Sequence, residues 1–440
     1  MIGILGGGLA GLSAAHRLRG LGRPDFVVIE KEAEPGGLCR SWRLGDFLFD
    51  YGPHIIYTRD ACAMRLFRRF LRGNLKRMRR ENFIQLYGKL IRYPFEAFLH
   101  GLPPGVILEC LEGVIKTRER GEFRRPSNLM EWAIATFGEG IARHYFIPYN
   151  LKVWKYPLER IGVDWIEGRV PTPDLRDMIR GALGLQDRDF GPNAIFHYPV
   201  RGGIGSLPMS MASGLQRLSL GSVVELISPS SRGIRVRCRS GGREETLEFS
   251  KVISTLALPT LVPLIESAPA EVRRAARRLV YTRLVCVGIG LKRKAVSDKH
   301  SIYFPEKDVL FNRISFPMNL APSMGPRGRS SILVELTIPS HGRVRPRRTL
   351  DRVVADLKRT GVLRERDELD CAEVRSYDFG YVVHDLEHEK NVRIIHDYLR
   401  SAGIFPAGRF GEWKYVNMDM AMLSGARAAD EAVTRKTPAT

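Results

Sequence analysis

The sequence predicts an α/β protein: a Rossmann-like nucleotide-binding domain, an inserted helical region and a mainly antiparallel-sheet substrate domain. Three observations predict it. The first forty residues read as strand, glycine turn, helix, strand, acid; residues 94–196 carry mainly helical apolar spacing; and residues from 280 to about 395 carry mostly strand patterns.

Ile2–Leu5 is a short apolar run, followed at once by Gly6-Gly7-Gly8-Leu9-Ala10-Gly11, which sets Gly6, Gly8 and Gly11 in a GxGxxG pattern. Leu12 to Leu18 has helical spacing, and Phe26–Ile29 reads as a second strand ending at Glu30. Gly6 permits the tight turn, Gly8 lets the backbone approach a pyrophosphate, and Gly11 lets the helix pack on the sheet. Glu30 falls where a carboxylate accepts hydrogen bonds from an adenosine ribose. Such a glycine pattern is generic, but in this context it points to a dinucleotide. Glu34-Pro35-Gly36-Gly37-Leu38-Cys39-Arg40 follows almost immediately, where an NAD enzyme would enter a crossover helix. The stretch resembles the Gly-Gly segment that covers the FAD pyrophosphate in amine-oxidase-like flavoproteins. That resemblance makes FAD the expected cofactor, with Gly37 and Arg40 beside it.

A chain of 440 residues is too long for one compact core, so two or three domains are expected. No apolar run reaches the length of a bilayer span, and with the glycine motif so near Met1 no signal peptide is expected. The six cysteines form no CxxC pair or ligand cluster, which predicts no metal and a reduced, cytoplasmic compartment. The formal charge of +21 is spread along the chain, without a zinc-finger, RNP or helix-turn-helix signature, so no specific nucleic acid partner is expected. Arg65 to Arg80 is the exception, because Met64 to Arg72 mixes basic and apolar residues at helical spacing. Two readings stay open there: a helix lying on a membrane surface, and a helix packed on the protein with a basic outer face.

Phe47 to Asp50 reads as a strand that breaks at Gly52-Pro53, with His54 just past the turn. Phe83–Leu86 and Leu90–Tyr93 read as a strand pair joined by Tyr87-Gly88-Lys89. Ser127 is a candidate helix cap with Glu131 in the first turn, and Pro148 is expected to break the helix before Leu151. Short strands are expected at Val223–Leu226, Gly233–Cys238, Glu245–Phe249 and Val252–Thr255, the last returning to the nucleotide domain. Val285–Ile289, Ile302–Phe304, Ile332–Thr337 and Cys371–Tyr377 read as an antiparallel sheet interrupted by a helix from Leu350 to Lys358, and Met422 to Val433 as a final helix. These readings divide the chain into FAD-binding segments 1–80, 197–275 and 396–440, a helical substrate or cap domain 81–196, and a sheet domain 276–395.

Several separate runs, from residue 1 to about 433, resemble the UDP-galactopyranose mutase family, its eukaryotic-type branch above all, within the amine-oxidase-like flavoproteins. The generic pieces are Gly6–Gly11 with Glu30, Gly36-Gly37 and Gly52-Pro53-His54. The more specific ones are Pro148-Tyr149-Asn150 through Trp154, Tyr303-Phe304-Pro305-Glu306 through Arg313, and Gly408-Arg409-Phe410-Gly411 through Tyr415. The resemblance implies interconversion of UDP-galactopyranose and UDP-galactofuranose, by covalent attack of reduced flavin N5 on the anomeric carbon. FAD would then need reduction, with NADH or NADPH as reductant. It implies that Tyr93 and Phe95 form a uracil pocket, and that Asn128 and Trp132 contact the uridine. It implies that Arg313 is the catalytic arginine holding the diphosphate, with Tyr303, Tyr381 and Tyr415 beside it. His54 would sit in a redox-responsive loop at the flavin, and Arg409, Asn417 and Asp419 would approach the cofactor.

The chain departs from the family pattern at chosen points. Ile147 stands where a second diphosphate arginine is expected, with Lys152 or Arg143 as candidate substitutes. Ser301 replaces a tryptophan, Pro53 a glycine, and Glu96 the uracil-side glutamine; an ionised Glu96 would be an acceptor only. Two other function classes therefore stay open. One is an FAD-dependent oxidoreductase acting on an amine, a porphyrin precursor or a polyene. The other is a flavoprotein that turns nothing over.

Overall fold

The computed structural model describes residues 1–119, 121, 125–191 and 193–435; the end of the polar tail lies outside them. A five-stranded parallel sheet holds, in order, Ile404–Pro406, Lys251–Ser254, Ile2–Leu5, Phe26–Ile29 and Leu218–Ser219. Its strands come from three separate stretches of the chain. Alternation along them buries both faces, as a parallel sheet requires. Ile4, Val28 and Ile253 pack against the helices Leu9–Gly20 and Met418–Thr434. Leu5, Ile29 and Val252 pack against residues of a three-stranded antiparallel sheet spanning residues 222–249 and of later helices. Ile2–Leu5 is flanked on one side by the next strand in sequence and on the other by a strand that arrives much later. Its C-terminal end is therefore a topological switch point, where a ligand cleft opens.

The second sheet has seven strands, in the order Leu369–Val382, Tyr281–Leu291, Ser330–Pro339, Arg313–Ser315, Ser301–Tyr303, Asn82–Leu86 and Lys89–Arg92. One face packs on the helix Pro346–Arg359 through Val353 and Leu357. Part of the other takes the aromatic hairpin Ser41–Leu44 and Phe47–Asp50, with Trp42, Phe47 and Phe49 against Leu284, Cys286 and Leu333. The sheet is antiparallel apart from the pairing of Ser301–Tyr303 with Asn82–Leu86, which is parallel. The hairpin at 82–92, which stands at the head of the helical region in sequence, is thus hydrogen-bonded into this sheet.

Several local expectations are corrected. The basic helix spans Ala61–Leu71, with Ala63, Phe67, Phe70 and Leu71 buried and Arg65, Arg68, Arg69 and Arg72 exposed, so it is packed on the protein with a basic outer face. The chain beyond it is not helical: Lys76–Arg79 pairs as a strand with Ile195–Tyr198, because Gly73 at φ 84° ends the helix. Asn128, not Ser127, caps the helix Leu129–Ile141, accepting from the Glu131 N–H. The Glu131 carboxylate in turn accepts from the Ser127 N–H and hydroxyl. Pro148 does not break a helix but opens one, Ile147–Trp154, in the first turn, where a missing N–H does no harm. A π-helical turn, Ala142–Phe146, leads into it. The helix His388–Ser401 was not expected within a region read as mostly strands, and it buries Val392, Ile395 and Leu399 at helical spacing. Among the described residues no helix is long and apolar enough to cross a membrane.

Candidate active site

A single cleft of about 1420 Å³ runs from the switch point of the parallel sheet to the polar face of the large sheet. A pocket for one small ligand is typically about 300–1,000 Å³, so there is room for two.

The glycine turn builds its inner end. Gly6 adopts φ 101°, and a Cβ there would fall 2.1 Å from the Thr255 hydroxyl. A Cβ on Gly11 would fall 2.0 Å from the Gly6 carbonyl oxygen, so the first turn of the helix packs directly on the loop. Gly6, Gly8, Leu9 and Ala10 line the cleft, and the helix they open has no side-chain cap. Its first N–H groups and its dipole are left for an anion. Glu30 lines the cleft and accepts from the Gly7 N–H at 2.6 Å and the Glu32 N–H at 2.9 Å. The Gly36-Gly37 segment lies against this loop through the Gly36 N–H to Gly7 oxygen bond of 2.8 Å. Arg40 secures it by donating to the Gly37 carbonyl and to Glu32, both at 3.0 Å. The helix Met418–Thr434 also begins at the cleft, and its N-cap residue Asn417 makes no side-chain capping bond. Nearby, one carboxylate oxygen of Asp419 is buried without a partner, and Arg409 donates to the Val416 carbonyl at 2.9 and 2.6 Å. Two uncapped helix starts, a glycine cradle and a strand-end carboxylate fit a dinucleotide such as FAD. The strand Ser222–Ser230 adds Ser222, Val223 and Val224 to the lining, and the Ser222 N–H donates to the Glu30 carbonyl at 2.8 Å.

His54 lies in the same cleft with Nδ1 3.1 Å from the Gly52 carbonyl oxygen. A carbonyl only accepts, so the proton sits on Nδ1 and Nε2 is left as an acceptor. Burial, with Arg409 second, lowers its pKa to about 4, so the ring is neutral at physiological pH.

The other end is set by strand register. Tyr303 is the register partner of Arg313, and Arg313 of Glu335, across three adjacent strands, which puts all three side chains on one face. The Arg313 guanidinium bonds Glu335 at 2.7 Å. Glu335 also accepts from the Tyr381 hydroxyl at 2.9 Å and from Asn312 at 3.3 Å. Burial opposes both charges, but the pairing outweighs it: Arg313 lies well above its ordinary pKa and Glu335 below its own. Aromatic rings enclose the pair. Tyr93 stacks on Tyr303 at 4.9 Å, Tyr149 meets Tyr303 edge-on at 5.7 Å, and Tyr381 lies 5.9 Å from Tyr415.

The cleft therefore brings together Gly6, Gly8, Glu30, Gly37, Arg40, His54, Tyr93, Tyr303, Arg313, Tyr381, Arg409, Tyr415, Asn417 and Asp419. Four expected residues stand behind its lining. Gly11 packs under the glycine turn. Phe95 is fully buried and stacks at 4.8 Å on Tyr145, which does line the cleft. Trp132 packs on Phe137 and Phe146, both at 5.5 Å. Asn128 is engaged as the helix cap already described. Neither expected substitute for Ile147 faces the cleft. The Lys152 ammonium is buried and donates to the carbonyls of Phe304 and Glu306 at 2.7 and 2.9 Å, while Arg143 pairs with Glu109 on the surface. The Ser301 hydroxyl bonds that of Ser315 at 2.9 Å.

Glu335, Arg80 and Arg169 line the cleft without having been singled out from sequence, and Tyr149, quoted above only within the run Pro148 to Trp154, lines it too. Glu335 carried a signal, a lone carboxylate inside the apolar run Ser330–Pro339, where an ionised group requires a partner. Arg80 and Arg169 carried none.

Glu96 is corrected as well. It is buried in the cleft near Arg80 and Tyr93, and burial pushes its carboxyl up to about 7, against its own backbone N–H bond and Arg80. Below that pH it is a hydroxyl donor, as an amide would be, rather than an acceptor only. A carboxyl raised in the folded state adds stability below its unfolded pKa, and that stability is lost as pH rises through the folded value. From an ordinary 4.5 to about 7 the loss is about 3 kcal/mol. Glu96→Gln is expected to remove that part of the decline between pH 4.5 and 7, measured by denaturant unfolding at a series of pH values. A decline identical to that of the parent would contradict the burial of an isolated carboxyl.

Comparison with known proteins agrees with this architecture. A reduced UDP-galactopyranose mutase crystal structure superposes with a TM-score of 0.92 at 27% identity, covering 98% of this chain and 93% of the other. A structure described as a putative protoporphyrinogen oxidase from Exiguobacterium sp. 255-15 matches at TM-score 0.76 and 16% identity, covering 99% of both chains. A fatty acid isomerase from P. acnes that produces CLA matches at 0.67 and 13%, covering 98% of both. The last two share the fold. The family of flavin containing amine oxidoreductases matches residues 9–433. This chain, an FAD-binding enzyme with the fold of UDP-galactopyranose mutase, belongs to the flavin containing amine oxidoreductase family.

Proposed function

We propose that the chain is a nucleotide-sugar mutase interconverting UDP-galactopyranose and UDP-galactofuranose. The observation that carries this reading is the continuity of one cleft from the dinucleotide cradle to a buried arginine ringed by tyrosines. Its likeness in fold and sequence to a UDP-galactopyranose mutase supports it. Reduced FAD, when bound, supplies a nucleophilic N5 for covalent attack on the anomeric carbon.

The chain's own residues have the remaining tasks. Arg313 holds the diphosphate and stabilises the charge that grows on it as the anomeric bond breaks. The hydroxyls of Tyr303, Tyr381 and Tyr415 add hydrogen bonds there. The stacked pair Tyr93 and Tyr303 offers a flat apolar wall to the base, and Glu96 in its protonated form donates to a base carbonyl. Neutral His54 offers Nε2 as an acceptor on the cofactor side. The open N-terminus of the helix Met418–Thr434 favours negative charge on a reduced cofactor. NADH or NADPH is the reductant in this reading.

An FAD-dependent oxidoreductase is the second reading, favoured by the apolar Ile147 and the small Ser301. Spectral titration separates the two. UDP is expected to perturb the flavin spectrum, and UDP-galactose to leave the flavin's redox state unchanged. Lasting flavin bleaching by a polyamine or porphyrin precursor, with no response to UDP, would favour the oxidoreductase.

A further inference from the structure

The large sheet carries a second polar row beside the one that holds Arg313. Ser301 pairs in register with Ser315 and Asn82, as Tyr303 pairs with Arg313 and Ile84. Residues two apart on a strand share a face and lie about 6.6 Å apart. Ser301 therefore stands next to Tyr303 in the wall of the cleft. Its hydroxyl bond to Ser315, at 2.9 Å, leaves it acceptor capacity for a ligand.

His300, one residue earlier, also lines the cleft and is only 8% exposed. Its Nδ1 accepts from the Glu81 N–H at 3.1 Å, so the proton sits on Nε2. That Nε2–H has no hydrogen-bond partner among the described residues. Burial, with Lys76 second, lowers the His300 pKa to about 4, which keeps the ring neutral and its tautomer fixed. The ring meets Phe196 edge-on at 5.5 Å. Phe196 and Leu320 belong to one apolar cluster on which Ile55 and Tyr57 pack, and all four line the cleft. Ile55 directly follows His54, and Ser301 neighbours Tyr303, so this pocket opens where the cofactor end of the cleft meets its arginine end. An unpartnered donor nine-tenths buried beside a small hydroxyl and an apolar wall calls for a ligand group that is polar on one side and apolar on the other.

We propose that His300 and Ser301, with the wall of Ile55, Phe196 and Leu320, form a subsite for an acylamino substituent on the sugar of the substrate. The amide carbonyl accepts from the His300 Nε2–H, the amide N–H donates to the Ser301 oxygen, and the acyl methyl lies against the apolar wall. A bare hydroxyl in its place would reach one polar group and leave the wall facing water. The proposal rests on the nucleotide-sugar reading for the rest of the substrate, and on the pocket's own chemistry for the substituent.

The test is equilibrium titration of the FAD-loaded protein with UDP, UDP-galactose and UDP-N-acetylgalactosamine, followed by flavin fluorescence, for the parent, His300→Asn and Ser301→Trp. His300→Asn keeps an acceptor for the Glu81 N–H and removes the Nε2 donor. Ser301→Trp fills the subsite, and FAD content reports that each variant is folded. One hydrogen bond to a buried donor and one buried methyl predict that the parent binds UDP-N-acetylgalactosamine about 10-fold more tightly than UDP-galactose. That preference is expected to shrink to about twofold in His300→Asn and to invert in Ser301→Trp, while UDP, which lacks the sugar, binds both variants as it binds the parent. A parent that binds UDP and UDP-galactose but takes UDP-N-acetylgalactosamine no more tightly would overturn the subsite and leave the nucleotide-sugar reading standing. A full preference retained in His300→Asn would overturn it equally. Failure of all three ligands to bind the parent would overturn the nucleotide-sugar reading and the subsite together.

Discussion

Arg313→Ala is expected to lower nucleotide-sugar turnover by about 10²–10³-fold while FAD stays bound. The guanidinium is the cation placed by register on the polar face of the large sheet, bonded to Glu335 at 2.7 Å and flanked by Tyr303 and Tyr381. In the proposed reaction its removal takes away the forked donor to the departing diphosphate. It also strands Glu335, which is 2% exposed, without its counter-ion. Breaking a buried pair from one side costs about 3–5 kcal/mol, so a drop in activity alone would be ambiguous. Arg313→Ala combined with Glu335→Gln resolves it. The double variant is expected to recover most of the lost stability, read by denaturant unfolding, and none of the turnover. Recovery of turnover along with stability would show that Arg313 acts only by holding the sheet together.

Glu30→Ala is expected to weaken FAD retention by about 10–100-fold, read as FAD content after dialysis. The carboxylate does two jobs in one place. It accepts from Gly7 and Glu32, which fixes the glycine turn against the second strand, and it faces the cleft with further lone pairs. Its loss leaves the Gly7 N–H unpaired, at about 1–3 kcal/mol. Glu30→Gln, which keeps acceptor capacity and loses the charge, is expected to fall between the two. Unchanged FAD content in Glu30→Ala would mean that the glycine turn alone holds the cofactor.

How much of this was legible in sequence depended on the range of the interaction. Ile2–Leu5 and Phe26–Ile29 form the strands expected from their apolar runs, because a short buried strand is specified by its own residues and the turn that follows. The seven-stranded sheet was legible as alternation but not as register. Nothing local says that Tyr303, Arg313 and Glu335 meet, or that the hairpin at 82–92 joins that sheet. Proline at 148 was read by its average effect, a break, whereas its position in the first turn decides that it starts the helix. Ser127 and Asn128 are both good caps, and the choice between them rests on which side chain reaches the Glu131 N–H. Trp132 and Phe95 are aromatic residues of the kind that line base pockets, yet here they pack against Phe146 and Tyr145, which line the cleft in their place. Glu96 was judged by its ordinary ionisation, which burial reverses near neutral pH. Arg169 could not be placed at the cleft from sequence, because the Tyr415 ring it covers lies far along the chain.

The most direct test of the central claim is conversion of UDP-galactofuranose by the purified FAD-loaded protein before and after dithionite reduction. Products are separated by chromatography while the flavin spectrum is followed. The account predicts UDP-galactopyranose only in the reduced state, with the flavin still reduced when conversion is complete. No conversion in either state, by protein that retains FAD, would contradict it.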